Sequence, residues 1–259
     1  MKTVLGHGGE GIHGTEKNQH STGEPDSANQ VDRATDLFIS TIVHEIRSPL
    51  AVMQAAVDVI ESHGDTLRNT EKKNYTQSIK TAILRVTRIV DSALMLVKVR
   101  NNQVMFRPSE VNIAEFCSGV ANEIECLHDG RRITVQVSKP FPLTFRIDTT
   151  LLYHVVFNLL SNAVKYSDRE KPIRLKLSHG DGNLIILVKD QGIGIPRGDI
   201  KFITGLFRRG SNIGNRKGVG IGMFIVKHCV AMHNGTIEVI SKENVGTTFK
   251  ITIPIPQEN

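Results

Sequence analysis

From Phe38 onward, apolar residues recur every three or four positions: Phe38, Ile42, Ile46, Leu50, Met53, Val57 and Ile60. At about 100° per residue they fall on one stripe, which predicts an amphipathic helix over 32–63, stopped at Gly64. After a polar link a second run predicts a helix over 71–101. Its apolar face is Tyr75, Ile79, Ile83, Val86, Val90, Ala93, Leu94 and Val97. Two such helices on a short link form an antiparallel hairpin. One hairpin has a wide apolar face and little core of its own. Pairing into a four-helix bundle would bury that face, so a homodimer is expected.

Past a polar linker at 102–109 the pattern becomes mixed. Asn112 with Glu115 is a candidate capping box, opening a helix that ends near Leu127. Strand-like runs follow at 133–138 and 143–147, and Asp148 opens a long apolar helix to Tyr166. Two more strands, 173–177 and 184–189, flank the turn Gly180-Asp181-Gly182. A loop rich in Gly and Arg covers 192–217. A helix at 220–232 and strands at 236–240 and 247–253 complete the pattern. The expected fold class is α+β: a helical hairpin dimerising to a four-helix bundle, then an α/β sandwich over 110–257 with a mixed sheet. Residues 1–31 carry almost no apolar content and are expected to form a disordered tail, leaving 32–101 as the hairpin. His7, His13 and His20 share no helical face, which argues against a metal-binding tract there.

Trp is absent and aromatics are only 5%, so base stacking is poorly supported and nucleic acid is not an expected partner. A net charge of +6 favours an anionic ligand or partner. Cys117, Cys126 and Cys229 are odd in number and form no CxxC pair, which suits free thiols in a reducing compartment. With no apolar run of bilayer length and no signal-peptide core, a cytoplasmic location without a membrane span is expected.

On the first helix His44 lies about 200° from Ile42, facing away from the stripe. Glu45 adjoins it, Ser48 sits one turn on, and Pro49 should bend the helix just beyond. A lone exposed histidine is ordinarily only a solvated side chain. Downstream, Asn158 and Asn162 are four apart on one helix, with Lys165 and Tyr166 a turn later. Two carboxamide oxygens suit a Mg²⁺ whose charge is balanced by phosphates, although such residues also cap loops. Asp190-Gln191-Gly192-Ile193-Gly194 leaves a strand. Its carboxylate could accept a hydrogen bond from an exocyclic amine, and its glycines let backbone approach a flat ring. Gly218-Val219-Gly220-Ile221-Gly222 opens a helix, an anion-binding arrangement, with Arg208, Arg209, Arg216 and Lys217 in the loop before it. Either glycine run alone would more often be an ordinary turn. There is no GxxxxGK[ST], and the second run follows a loop, so neither a P-loop nor a Rossmann site is present.

Taken together, residues 32–256 resemble the transmitter core of a sensor histidine kinase of a two-component system. His44-Glu45-Ile46-Arg47-Ser48-Pro49-Leu50 resembles the family's H box, and Asn158 to Tyr166 its N box. Asp190 to Gly194 and Gly218 to Gly222 resemble its first two glycine boxes. Phe207-Arg208-Arg209-Gly210 resembles the F box, and Gly246-Thr247-Thr248-Phe249 the last glycine box. The resemblance implies a dimerising hairpin joined to a Bergerat-type ATP-binding domain. His44 would attack the γ-phosphate of ATP with Glu45 handling the ring proton, and a receiver-domain aspartate of a response regulator would take the phosphoryl group. Asn162, beside Asn158, would ligate Mg²⁺. Lys165, Tyr166, Asp190, Gly192, Gly194, Phe207, Arg208, Arg209, Gly218, Gly220, Gly222 and Thr248 would complete the ATP site under a lid at 195–217. Ser48 stands where phosphatase-competent members more often carry Thr or Asn. Intact His44, Glu45, Asn162, Asp190 and the glycine turns argue against a non-catalytic ATP-binding scaffold or pseudokinase that signals through the dimer, and a related ATPase or serine kinase sharing only the second domain would need no acceptor hairpin.

Overall fold

A computed structural model describes residues 25–128, 131–214 and 220–255, with side chains from Ile39 onward. Helix α1, Pro25–His63, begins before the expected start at 32 and runs through Pro49. The rest of the expected tail, with His7, His13 and His20, lies outside the described residues. Helix α2, Asn69–Arg100, is held at its start by the Arg68 backbone N–H and guanidinium, both donating to Glu71 at 2.9 Å. The two helices pack on each other as a hairpin.

Helix α2 has two apolar faces. Ala82, Met95, Leu96 and Val99 are buried. Ile83, Val90, Leu94 and Val97, part of the stripe read from the sequence, stand exposed. On α1, Ile42, Ile46, Met53, Val57 and Ile60 are half-buried, but Leu50 is exposed and Pro49 is buried. The hairpin thus leaves an open apolar seam.

Strand β1, Ser109–Val111, lies within what the sequence suggested was the linker and its border. It pairs antiparallel with β3, Phe145–Ile147, a shorter strand than the expected 143–147. Helices α3, Ile113–Leu127, α4, Thr149–Tyr166, and α5, Gly222–Met232, cover a five-stranded sheet. Its strands are β2 (Ile133–Val137), β4 (Ile173–Gly180), β5 (Asn183–Lys189), β6 (Thr236–Lys242) and β7 (Gly246–Pro254), in the order β2-β4-β5-β7-β6. Only β2 and β4 run parallel, so the sheet is mixed as expected. Register aligns buried rows across it: Leu175 opposite Val188 and Val188 opposite Phe249, then Leu177 opposite Ile186 and Ile186 opposite Ile251. Alternate residues face the helices, which is the period-two pleat at work.

Met95, Leu96 and Val99 of α2 belong to the same hydrophobic core as this sheet and its helices. The following segment is pinned as well. Asp148 caps α4 by accepting from Leu151 N–H at 3.0 Å, a contact typically worth ~1 kcal/mol. Its second oxygen accepts from Arg107 N–H at 2.7 Å. Phe106 meets the buried His233 ring edge-on at 5.1 Å. Among the described residues, no helix is long and apolar enough to cross a membrane.

Candidate active site

Helix α4 buries Leu151, Leu152, Val155, Val156, Leu159, Leu160, Ala163 and Val164 against the sheet. Asn158, Ser161, Asn162 and Lys165 therefore fall on the opposite side, where they line a cavity of about 290 Å³. The Asn158 amide N–H₂ donates to the His154 carbonyl at 2.7 Å. Its Oδ1 is left toward the start of α5, where a Cβ on Gly222 would lie 2.6 Å away. Only glycine lets this helix end approach so closely. His154 itself is half-buried, and desolvation lowers its pKa.

Asp190 forms the far wall. Its carboxylate is 6% exposed, and Oδ1 accepts from the N–H groups of Gly192 at 2.8 Å and Thr247 at 3.1 Å. Burial pushes the carboxyl pKa up, and the two backbone donors pull it back down. Gly192 serves the site by holding Asp190 rather than by lining the cavity. Gly194 does line it, at a positive φ of 67° with no room for a Cβ beneath the Lys242 carbonyl. Such a backbone is natural to glycine.

The loop between β5 and α5 contains a short 3₁₀ turn, Ile200–Phe202, that the sequence did not announce. Asp199 accepts from the Ser211 backbone N–H at 2.7 Å and its hydroxyl at 2.8 Å, and these bonds hold its carboxyl below the usual range. The Asn212 amide donates to the Gly194 carbonyl at 3.1 Å, tying the loop to the cavity rim. Arg208 and Arg209 line the cavity, as do Tyr166, Gly220 and Gly222. Gly218, Arg216 and Lys217 lie outside the described residues.

Two expected site residues are placed elsewhere. Phe207 packs against the hydrophobic core instead of lining the cavity, at a φ of 57°. Thr248 is replaced by Thr247. In β7 the odd-numbered residues from Thr247 to Ile253 face inward, so Thr248 falls on the other side. The buried Thr247 instead supports Asp190, and its hydroxyl meets that of Ser241 at 2.9 Å.

The acceptor helix reaches the same cavity. Ile42 and Glu45 of α1 line it, together with Arg88, Ile89 and Ser92 of α2. His44, next to Glu45, is exposed, as is Ser48, and neither is part of the lining. The apolar share of the wall, including Ile193, Ile195, Met223 and Phe249, was not read from the sequence.

The donor set suits a divalent cation only in company with phosphates. Among the described residues no cluster of three or more His, Cys, Asp or Glu could hold a metal by itself. The Asn158 and Asn162 carboxamides offer neutral oxygens and no charge, so a Mg²⁺ bound there would take its charge balance from a nucleotide.

This architecture defines a two-part protein: a helical hairpin with an exposed histidine, docked on an α/β nucleotide-binding domain. The family "His Kinase A (phospho-acceptor) domain" matches residues 34–102, and "Histidine kinase-, DNA gyrase B-, and HSP90-like ATPase" matches 147–257. The chain therefore belongs to the histidine kinases and carries both domains of a transmitter core. It is 30% identical over 216 residues to the signal transduction histidine-protein kinase ArlS of Staphylococcus haemolyticus, covering 83% of this chain and 47% of the relative. It is 27% identical over 219 residues to the sensor-like histidine kinase SenX3 of Mycobacterium tuberculosis, covering 84% and 53%. The Acinetobacter baumannii histidine kinase AdeS shares the fold, with a TM-score of 0.53 at 18% identity, over 83% of this chain and 98% of that one. The chain spans about half the length of the curated relatives it matches.

Proposed function

We propose that the protein is an ATP-dependent protein-histidine kinase that phosphorylates His44 and passes the phosphoryl group to an aspartate on the receiver domain of a response regulator. One observation carries this reading. Glu45, adjacent to the exposed His44, shares a single cavity with the carboxamides of Asn158 and Asn162, the Lys165 ammonium and the Asp190 carboxylate. Asp190 accepts a hydrogen bond from the adenine amine. Lys165, Arg208 and Arg209 face the phosphates, and Asn162 with Asn158 holds Mg²⁺. When bound, that ion neutralises developing charge on the transferred group. Neutral imidazole is a competent nucleophile, and Glu45 accepts or orients its other ring proton.

The open seam of the hairpin supports a homodimer. Ile39, Val43 and Leu50 on α1, with Ile83, Val90, Leu94 and Val97 on α2, are exposed at spacings of three, four and seven. That spacing suits helix pairing into a four-helix bundle. Incubation with γ-labelled ATP and Mg²⁺ tests the kinase. Label that is lost in acid but stable in base is expected. His44→Ala should abolish it while nucleotide binding survives. Normal labelling of that variant would remove His44 from the mechanism.

A further inference from the structure

Arg88 is not explained by the hairpin's own packing. It projects from α2 onto the nucleotide domain, where its Nε and Nη2 donate to one oxygen of Glu123 on α3 at 3.0 and 2.5 Å. Nη1 donates to Asp91 at 3.3 Å. The guanidinium lies 4.7 Å from the ring centre of Tyr153 and 5.3 Å from that of Phe157, both on α4. Those two rings are stacked, 5.5 Å apart. The Tyr153 hydroxyl donates to Glu123 at 3.0 Å, closing the ring of contacts. Arg88 and Glu123 keep only about a quarter of their side-chain surface, 26% and 24%. A charge-assisted pair so far withdrawn from water, with two aromatic faces beneath the cation, is stronger than an exposed ion pair.

The position of this group gives it a consequence. Arg88 and Phe157 also line the cavity that Glu45 shares with Asn158 and Asn162. Resting on the kinase reading above, we infer that Arg88 is a positioning residue. Its clasp with Glu123 and Tyr153 holds the acceptor helix at the nucleotide pocket of its own chain, so that phosphoryl transfer to His44 runs within a chain. The γ-phosphorus–oxygen bond to ADP breaks as a bond to an imidazole nitrogen forms. The ring's displaced proton leaves through Glu45.

The test uses the full chain. Arg88→Glu places two carboxylates in the clasp. The rate of His44 labelling at saturating ATP should fall about tenfold or more. Exchanging the charges in Arg88→Glu/Glu123→Arg should recover most of the rate, which a general loss of stability would not allow. A tandem-purified heterodimer of His44→Ala with Asn162→Ala should remain unlabelled, because each chain lacks one half of the reaction. If sedimentation finds the wild-type protein monomeric while it still labels at a rate independent of protein concentration, transfer is within a chain by necessity. Arg88→Glu labelling at or above the wild-type rate, or a labelled heterodimer, overturns the inference and leaves the kinase reading intact. Wild-type protein that takes no label from Mg-ATP overturns the kinase reading itself.

Discussion

Replacing Asp190 by asparagine keeps the shape of the side chain, removes its charge and turns one acceptor into a donor. In the structure Oδ1 is taken by the Gly192 and Thr247 N–H groups, and an asparagine oxygen would serve both equally well. The change is therefore felt at the other atom, on the cavity side. There, on the proposed binding mode, the carboxylate oxygen that would accept from the adenine amine becomes an N–H₂ facing another N–H₂. A hydrogen bond to a charged acceptor is worth about 1.5–3 kcal/mol, and opposed donors add to its loss. We expect ATP affinity to fall by about 2–3 kcal/mol, roughly 30- to 150-fold in Kd. Inosine triphosphate carries a carbonyl at the position of the amine, and Asp190→Asn should bind it better than ATP, reversing the wild-type order. Competition with a fluorescent nucleotide reads both constants. Stability should move the opposite way. Because burial raises the native carboxyl pKa, the folded chain binds that proton more readily than the unfolded chain, and stability is lost as pH rises through the raised value. The asparagine variant is free of that loss and should melt higher at pH 7 without nucleotide. Unchanged ATP affinity together with an unchanged purine preference would refute the role given to Asp190.

Gly222→Ala sets a methyl group 2.6 Å from Asn158 Oδ1, and the displaced carboxamide should weaken Mg-ATP binding by about 1–3 kcal/mol in calorimetry. Wild-type affinity would show that the contact is idle. Leu94→Glu with Val97→Glu puts charge into the open seam, so sedimentation should find a monomer that keeps its helical circular dichroism. A dimer that persists would place the seam elsewhere. Burial lowers the His233 pKa, with the Cys229 carbonyl and Asp148 opposing that shift. Its neutral ring is therefore favoured in the fold, and stability should decline as pH drops below the unfolded value of about 6.5. His233→Gln should flatten that decline between pH 7 and 5 in thermal melts. An unaltered slope would assign it to other groups.

Periodicity carried most of the secondary structure, because each long helix repeats its apolar residues every three or four positions and each inner strand alternates cleanly. The exceptions have physical causes. Strand β1 is three residues long, Ser-Glu-Val, and exists through pairing with β3, so nothing local announces it. Of the stripe chosen on α2, Ile83, Val90, Leu94 and Val97 face outward, while Tyr75, Ile79, Val86 and Ala93 are half-buried. The inward residues Met95, Leu96 and Val99 serve a domain that begins only after the helix ends, which no single-helix pattern reveals. Of the neighbouring threonines, Thr247 lines the cavity and Thr248, the one expected there, does not. The alternation of Phe249, Ile251 and Ile253 could have shown this, since a pleat fixes the facing of every second residue. Asn158, Asn162 and Asp190 stood out because their chemistry is unusual where they stand, and all three line one cavity. Arg88 did not, because its partner lies 35 residues away on another element.

The short leash after α2 sets the working range of the machine. The helix ends at Arg100, and the backbone is fastened again at Arg107 by Asp148. Only the intervening handful of residues could pay out once the contacts of 101–103 with α2 and of Phe106 with His233 are released, at most about 20 Å when drawn taut. Met95, Leu96 and Val99 join the end of α2 to the domain core, so any swing of the nucleotide domain must part those contacts as well as the Arg88 clasp, and the leash then keeps it within a domain's radius of the helix it left. Residues added to this leash should slow re-engagement without altering nucleotide affinity.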